Sequence, residues 1–250
     1  MVLAAAGGVD HDQLVQLAEQ AFGGLPSVRN ESPQAKTKFV ASEIRVRNDE
    51  MDEAHIVYAH EGVSWTNPDY FPLLVAQSIL GSWDRTLGGG ANLSSNLAQR
   101  VASSHGANRF MAFNTCYSDT GLFGLYLVSS ERGHLDDLMY LVQNELMRLT
   151  TAATEAEVAR AKNQLKTSLL LQLDGTTPVC EDIGRQVLTY GRRLTPYEID
   201  ARIEAVDAAA VRKALYKYIY DKDPALVGIG PIEALTDYNR LQTATSWLRV

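Results

Sequence analysis

The sequence predicts an α+β fold: a mainly antiparallel sheet covered by helices. Three observations carry this. Strand-like runs come in adjacent pairs, about 39–48 with 54–63 and about 109–117 with 121–129. Helical runs separate and follow those pairs, in the order ββαα ββ αα αα β α, whereas a doubly wound parallel sheet needs strict alternation of strand and helix. The 250 residues are 46% hydrophobic and 21% charged, which supplies a full core and excludes a disordered chain.

Taken in order, residues 1–9 are apolar and read as a buried strand. Asp10 is placed to cap a helix over 11–22, where Leu14, Leu17, Ala18, Ala21 and Phe22 share one face, and Gly23-Gly24 stops it. A lone strand and helix cannot bury themselves, so these residues read as the last pieces of a domain whose front lies upstream. Residues 26–38 are polar, contain two prolines and read as a linker. In the strand at about 39–48, Ile44 and Val46 alternate with Glu43, Arg45 and Arg47. The acidic turn Asp49, Glu50, Asp52, Glu53 then leads to the strand at 54–63, and the two together read as an antiparallel hairpin with a solvated tip.

Pro68 opens a helix that ends near Gly81, and the glycine-rich stretch 87–92 precedes a helix at about 93–104. The strands at 109–117 and 121–129 are joined at Ser118-Asp119-Thr120-Gly121, which is turn chemistry. A helix over about 132–149 follows. Thr154 and Glu157 form a capping box for the next, which runs to Leu173 and stops at Asp174-Gly175. Pro178 opens a shorter helix to about 190, Thr195-Pro196 starts another, and Asp207 caps the one after that. The wholly apolar PALVGIG, 224–230, is a last strand, and 231–250 is helical and irregular.

Lys and Arg number 23 against 30 Asp and Glu, a net charge of −7, which excludes nonspecific nucleic-acid binding. No apolar run reaches the ~18 residues of a membrane span. Cys116 and Cys180 make no disulfide framework, and a reducing compartment is the default.

The candidate chemistry is thin. The histidines are His11, His55, His60, His105 and His134, and neither HExxH nor its inversion HxxEH occurs. His55 and His60 are five apart, an odd spacing that puts them on opposite faces of a strand. Gly88-Gly89-Gly90 lies ahead of a helix N-terminus that could receive an anion, but no Lys-Ser/Thr follows, and it reads as a turn. Cys116 reads as a buried structural thiol. Cys180 lies in a first helical turn, which favours a thiolate, but Glu181 and Asp182 oppose it. These readings leave the chain with no catalytic, cofactor-binding or metal-binding residue of its own.

Several stretches nevertheless resemble one family. They are MVLAAAGGVDHDQLVQLAEQAFGGLP, EGVSWTNPDY, GSWDRTLGGGANLSSNLAQ, FNTCYSDTGLFGLY, QLKTSLLLQLDGTTPVCEDIGRQVLTYGRR and VGIGPIEALTDYN. All are similar to the pitrilysin-type zinc metallopeptidases, in the branch that holds the presequence-processing peptidases of mitochondria and the core proteins of respiratory complex III. The resemblance covers essentially the whole chain and is most specific from Gln164 to Arg193.

The resemblance implies a subunit of two similar α+β halves, with the zinc motif and its glutamate in the first. Residues 1–25 then correspond to the tail of that N-terminal half, 26–38 to the linker, and 39–250 to the non-catalytic C-terminal half. Zinc is expected in the N-terminal half and no cofactor in this portion. The implied partners are the N-terminal half, the alpha subunit of the heterodimer and basic presequence peptides. The implied location is the mitochondrial matrix, or the matrix side of the inner membrane for a complex III core protein. In many relatives a helix of the second half carries Ser-x-Leu-x-x-x-Leu-Arg-Glu, whose Arg touches substrate. With Ser95 and Leu97 on the first two positions, Val101, Ala102 and Ser103 fall on the last three, so Ala102 stands where the Arg would be.

Overall fold

A computed structural model describes residues 2–25, 36–90, 92–104 and 106–246. Its sheet has six strands: β1 (Glu43–Arg47), β2 (Ala54–Glu61), β3 (Ser82–Asp84), β4 (Arg109–Cys116), β5 (Gly121–Ser129) and β6 (Ala225–Gly230). They stand in the order β1-β6-β2-β5-β4-β3. Every pairing is antiparallel except β1 with β6. The α+β class and the largely antiparallel sheet therefore hold.

The hairpin of β1 with β2 does not. β6 is inserted between them, pairing parallel to β1 and antiparallel to β2. The cause is legible in composition. A wholly apolar strand needs a neighbour on each edge and cover on its faces, whereas the charged Glu43–Arg47 segment tolerates the edge of a sheet. The acidic stretch 49–53 is thus a crossover and not a hairpin tip. Asn48 N–H donates to the Gly230 carbonyl as the chain leaves β1, and the Glu53 carboxylate accepts from Asn108 at 2.6 Å.

The helices are α1 (His11–Phe22), α2 (Tyr70–Leu80), α3 (Asn96–Ser104), α4 (Leu135–Ala152), α5 (Glu155–Gln172), α6 (Thr176–Tyr190), α7 (Pro196–Glu204), α8 (Ala208–Tyr218) and α9 (Tyr238–Ala244). The core lies between α2, α3, α4, α8 and one face of the sheet. Ile56, Tyr58, Phe110, Phe123, Leu125 and Leu127 stand on that face, and Leu73, Leu97, Leu138, Val142 and Leu215 meet them from the helices, all essentially inaccessible. No described helix is long and apolar enough to cross a membrane.

Several helix starts follow the capping residues. Asp10 accepts from Gln13 N–H at 3.1 Å, Thr195 from Glu198 at 3.2 Å and Asp207 from Ala210 at 2.7 Å. At Thr154 the capping box is complete: Oγ1 accepts from Glu157 N–H, and Glu157 accepts from Thr154 N–H at 3.0 Å. The prolines mislead by two residues, in opposite directions. α2 starts at Tyr70 rather than Pro68, and α6 at Thr176 rather than Pro178. Both helices accommodate a proline in the first turn, where its missing N–H has no intrahelical partner to lose.

Residues 2–9 are not a strand. No described strand pairs with them and none of them is buried. An extended segment becomes a strand only when a neighbour takes up its backbone groups. Of the expected linker 26–38, residues 26–35 lie outside the described residues. Thr37 N–H donates to the Asp119 carboxylate at 2.7 Å, tying the chain after it to the β4–β5 turn. The irregular end contains α9, and residues 247–250 lie outside the described residues.

Candidate functional site

The histidines do not converge. His55 and His60 stand on opposite faces of β2, as their odd spacing requires. His55 Nδ1 is 2.7 Å from the Tyr126 hydroxyl on the face away from the core. His60 is fully buried on the core face, edge-on to Tyr58 with ring centroids 5.2 Å apart. Neither His60 ring nitrogen has a hydrogen-bond partner, and burial pushes its pKa down to about 4. His134 is exposed at the start of α4 and pairs with Asp137 at 3.2 Å, and His11 is exposed on α1. His105 lies outside the described residues. Among the described residues no three His, Cys, Asp or Glu side chains are grouped to hold a metal ion.

The cysteines are separate free thiols. Cys116 is buried at the end of β4, and burial raises its pKa to about 11. Cys180 sits on α6 with Sγ 3.2 Å from the Ala4 carbonyl, so its contact is to the N-terminal segment. The glycine-rich stretch is an exposed turn held by Trp83, whose indole N–H donates to the Gly88 carbonyl at 2.8 Å. Ala91 within it lies outside the described residues. Just before α3, Ser95 Oγ donates to the Leu80 carbonyl at 2.7 Å, and within α3 Leu97 and Val101 are buried. Ala102 is half-buried beneath Gly89. These positions join α3 to α2 and the core.

What the structure does present is apolar surface. On the face of the sheet away from the core, Ile44, Val227, Val57, Tyr126 and Met111 stand in one cross-strand row, since directly paired residues project to the same side. Val46 and Ile229 stand beside them. Ile44 is 54% and Met111 52% exposed, with Val46 and Ile229 also open. The alternation of Ile44 and Val46 with Arg45 and Arg47 is thus a true strand signal, with the apolar side turned away from the core. The arginines take the core side, where Arg45 Nη1 donates to the Leu235 carbonyl at 3.0 Å and Arg47 reaches Glu233 at 2.9 Å. At the sheet margin that side holds the loop after β6, whose carbonyls and carboxylate receive cations better than methyl groups.

The N-terminal segment makes a second such surface. Gly7 approaches Thr176, and Ala4 lies beside Gly184 and Cys180, so residues 2–7 run against α6. Yet α1 buries no residue: Val15, Leu17 and Phe22 of α1, with Leu25 beyond it, remain open to solvent. An amphipathic helix with an exposed apolar side is stable when something covers that side.

Such surfaces define a class: an α+β domain with a closed core on one side of its sheet and apolar ground for a neighbour on the other. Comparison with known proteins places it. A family model described as "Peptidase M16 inactive domain" matches residues 1–165. The chain is 53% identical over 249 residues to the mitochondrial-processing peptidase subunit beta of Blastocladiella emersonii, covering 100% of this chain and 53% of that protein. It is 52% identical over 250 residues to the subunit of that name in Bos taurus, covering 99% of this chain and 51% of that one. Human cytochrome b-c1 complex subunit 1 is 49% identical over 252 residues, covering 100% of this chain and 52% of that protein. Among solved structures, a chain of complex III2 from Candida albicans, bound to Inz-5, matches with a TM-score of 0.86 at 31% identity, over 96% of this chain and 57% of that one. The chain belongs to the peptidase M16 family. It spans about half the length of the curated relatives it matches.

Proposed function

We propose that this chain acts as the C-terminal, non-catalytic portion of a mitochondrial zinc metalloendopeptidase that removes targeting presequences from imported precursors. In this reading residues 1–25 are the tail of an N-terminal half, 26–38 the linker and 39–250 the C-terminal half. Zinc and the general base belong to the N-terminal half. This portion encloses the basic presequence peptide and docks the mitochondrial processing peptidase alpha subunit in the matrix. The observation that carries the reading is identity above one half along the whole chain to processing-peptidase beta subunits, aligned on about half of each. The apolar sheet face around Ile44 and Met111, and the exposed side of α1, supply ground for the N-terminal half. The net charge of −7 suits a chamber for basic peptides.

Mixing this chain with a separately made N-terminal half and the alpha subunit tests the proposal. Presequence cleavage is expected from the mixture and none from this chain alone. Recovery is small if the halves must find each other without a tether's millimolar effective concentration. Chelator-sensitive cleavage by this chain alone would overturn the assignment of the chemistry to the other half.

A second reading is favoured by the identity to cytochrome b-c1 complex subunit 1 and by the complex III fold neighbour: a non-catalytic core protein of respiratory complex III. The N-terminal half discriminates, because an intact HxxEH there supports the peptidase and a broken one the scaffold.

A further inference from the structure

The outer edge of β1 is open: among the described residues no strand pairs with it. Its hydrogen-bonding phase is fixed from the other side. The Ser42 carbonyl accepts from Leu226 N–H and Asn48 N–H donates to the Gly230 carbonyl, both at 2.9 Å. Alternate residues of a strand turn their backbone groups to the same edge, so Ser42, Ile44, Val46 and Asn48 face β6, and Glu43, Arg45 and Arg47 turn theirs outward. The strand holds no proline and its register with β6 is unbroken.

Charged side chains ordinarily shield such an edge. Here they are drawn to the core side. Arg45 pairs with Glu43 and donates to the Leu235 and Thr236 carbonyls, and Arg47 is held by Asp49 and Glu233. The other side of the edge is apolar: Ile44 and Val46 are exposed, and so, ahead of the strand, is Val40 at 66%. A strand whose backbone groups are unpaired and whose apolar side chains are open offers main-chain pairing to another strand.

We propose that a second copy of this chain fills the edge, β1 against β1 about a two-fold axis at Arg45. An antiparallel pair centred there sets Arg45 against itself and Glu43 against Arg47. These are the outward-turned residues, so each pair exchanges both backbone bonds. Ile44 stands opposite Val46 in the closer, non-hydrogen-bonded positions, where two apolar side chains touch. The strand EIRVR is thus self-complementary against its own reverse: opposite charges at both ends and apolar residues inside them. The like charges at the centre are met by the partner each guanidinium already has, Glu43 of its own chain. Moving the axis one residue later sets Arg45 against Arg47 twice, and one residue earlier leaves Arg47 opposite Ala41, outside the strand. A two-fold contact of this kind closes at two copies and joins their sheets into one. The pairing lies in the plane of the sheet and leaves its apolar face open, so the inference is independent of the processing reading.

Sedimentation equilibrium of this chain from low to high micromolar concentration tests it, and a monomer–dimer equilibrium is expected. Cysteine placement reads the register. Arg45→Cys sets its thiol against the same position of the second copy, at the Cα separation of about 5.5 Å of a hydrogen-bonded pair, which is within disulfide range. Mild oxidation is expected to give a covalent dimer from this variant and little from Ile44→Cys or Val46→Cys, each of which meets itself only if the axis moves by one residue. Wild type is the control, since Cys116 is buried and Cys180 lies against Ala4. Arg47→Pro removes an N–H that takes no part in pairing with β6, so it is expected to weaken the dimer at least about tenfold, about 1.4 kcal/mol, while the monomer keeps its circular dichroism. The cross-link is read on its own if that proline unfolds the chain. A chain that stays monomeric, a dimer that a folded Arg47→Pro variant leaves at full strength, or cross-linking of Ile44→Cys or Val46→Cys ahead of Arg45→Cys overturns the proposal. So does loss of the dimer when the separately made N-terminal half is added, since the edge then has another occupant.

Discussion

Arg148 holds the buried carboxylate of Glu145 in a fork, with Nη2 to Oε1 at 2.8 Å and Nε to Oε2 at 3.1 Å, while only 2% of the Glu145 side chain meets solvent. The same guanidinium reaches Glu157 at 2.6 Å, and Asn96 donates to Glu145 at 2.6 Å. One carboxylate thus joins α3 to α4, and one guanidinium joins α4 to α5. Removing one member of such a pair strands the other's charge. Arg148→Met is expected to cost about 3 kcal/mol of unfolding free energy, measured by urea denaturation. A second substitution, Glu145→Gln, should return part of it, because it removes the stranded charge. A loss below about 1 kcal/mol would mean that Asn96 and the more distant Arg100 suffice.

His60 predicts a pH dependence whose sign is fixed by burial. Its folded pKa, about 4, lies below the ordinary 6.5 because the charged ring has no solvent and no partner in the core. The unfolded chain therefore takes up the proton first as pH falls. The contribution to stability is fully present above about 6.5 and is lost as pH drops through that value toward 4. The full difference is about 3 kcal/mol at 1.36 kcal/mol per unit. Comparing unfolding free energies of wild type and His60→Phe between pH 7 and pH 4 checks it, and the variant should fall less steeply. Parallel slopes would show that His60 is solvated or paired in solution.

At Gly230 the backbone itself is the constraint. Its φ is +111°, and a Cβ there would stand 2.5 Å from the Glu53 carbonyl oxygen, where the end of β6 passes the crossover from β1. Gly230→Ala combines a disfavoured dihedral with a clash against main chain that cannot rotate away. A loss of about 1–3 kcal/mol is expected. Thermal unfolding of the variant within error of wild type would place this crossover differently.

Thr154 is a milder case. Its hydroxyl accepts from Glu157 N–H at 3.3 Å, and Glu157 returns the bond, so Thr154→Ala should cost ~1 kcal/mol in chemical denaturation. No change would mean that the partly exposed capping box is replaced by water at no cost.

These residues also mark how far sequence carried. Caps at Asp10, Thr154, Thr195 and Asp207 were legible because the signal is local: one acceptor and the N–H three residues on. The pairing of β1 was not, since a six-residue connection suits a hairpin as well as a crossover, and only the competing claim of β6 for two neighbours decides. β3 was missed because three residues, Ser82–Asp84, carry no period. The burial of Glu145 and His60 is a tertiary fact. A charged residue in a helix and a histidine in a strand look the same in sequence whether they face water or core. The apolar sheet face is half visible in sequence: Ile44 and Val46 alternate as strand residues do, but which face they take depends on the loop after β6.

That face yields the most direct consequence for assembly. Ile44 and Val46 are more exposed than a strand's apolar set should be, and they continue the row through Val227 and Val57 to Met111. If the N-terminal half covers this row, replacing Ile44 and Val46 together with Asp leaves the isolated chain's stability almost unchanged, within about 0.5 kcal/mol, because neither side chain supports the core. The same replacement puts two charges into the join between the halves. Association with a separately made N-terminal half should then weaken by at least about tenfold, 1.4 kcal/mol, with presequence cleavage by the mixture falling in step. The two measurements separate the explanations. A destabilised chain would mean that Ile44 and Val46 support the fold itself. An intact chain that still associates and completes cleavage would mean that the halves meet through α1 and α6, with the sheet face turned toward the peptide or the alpha subunit.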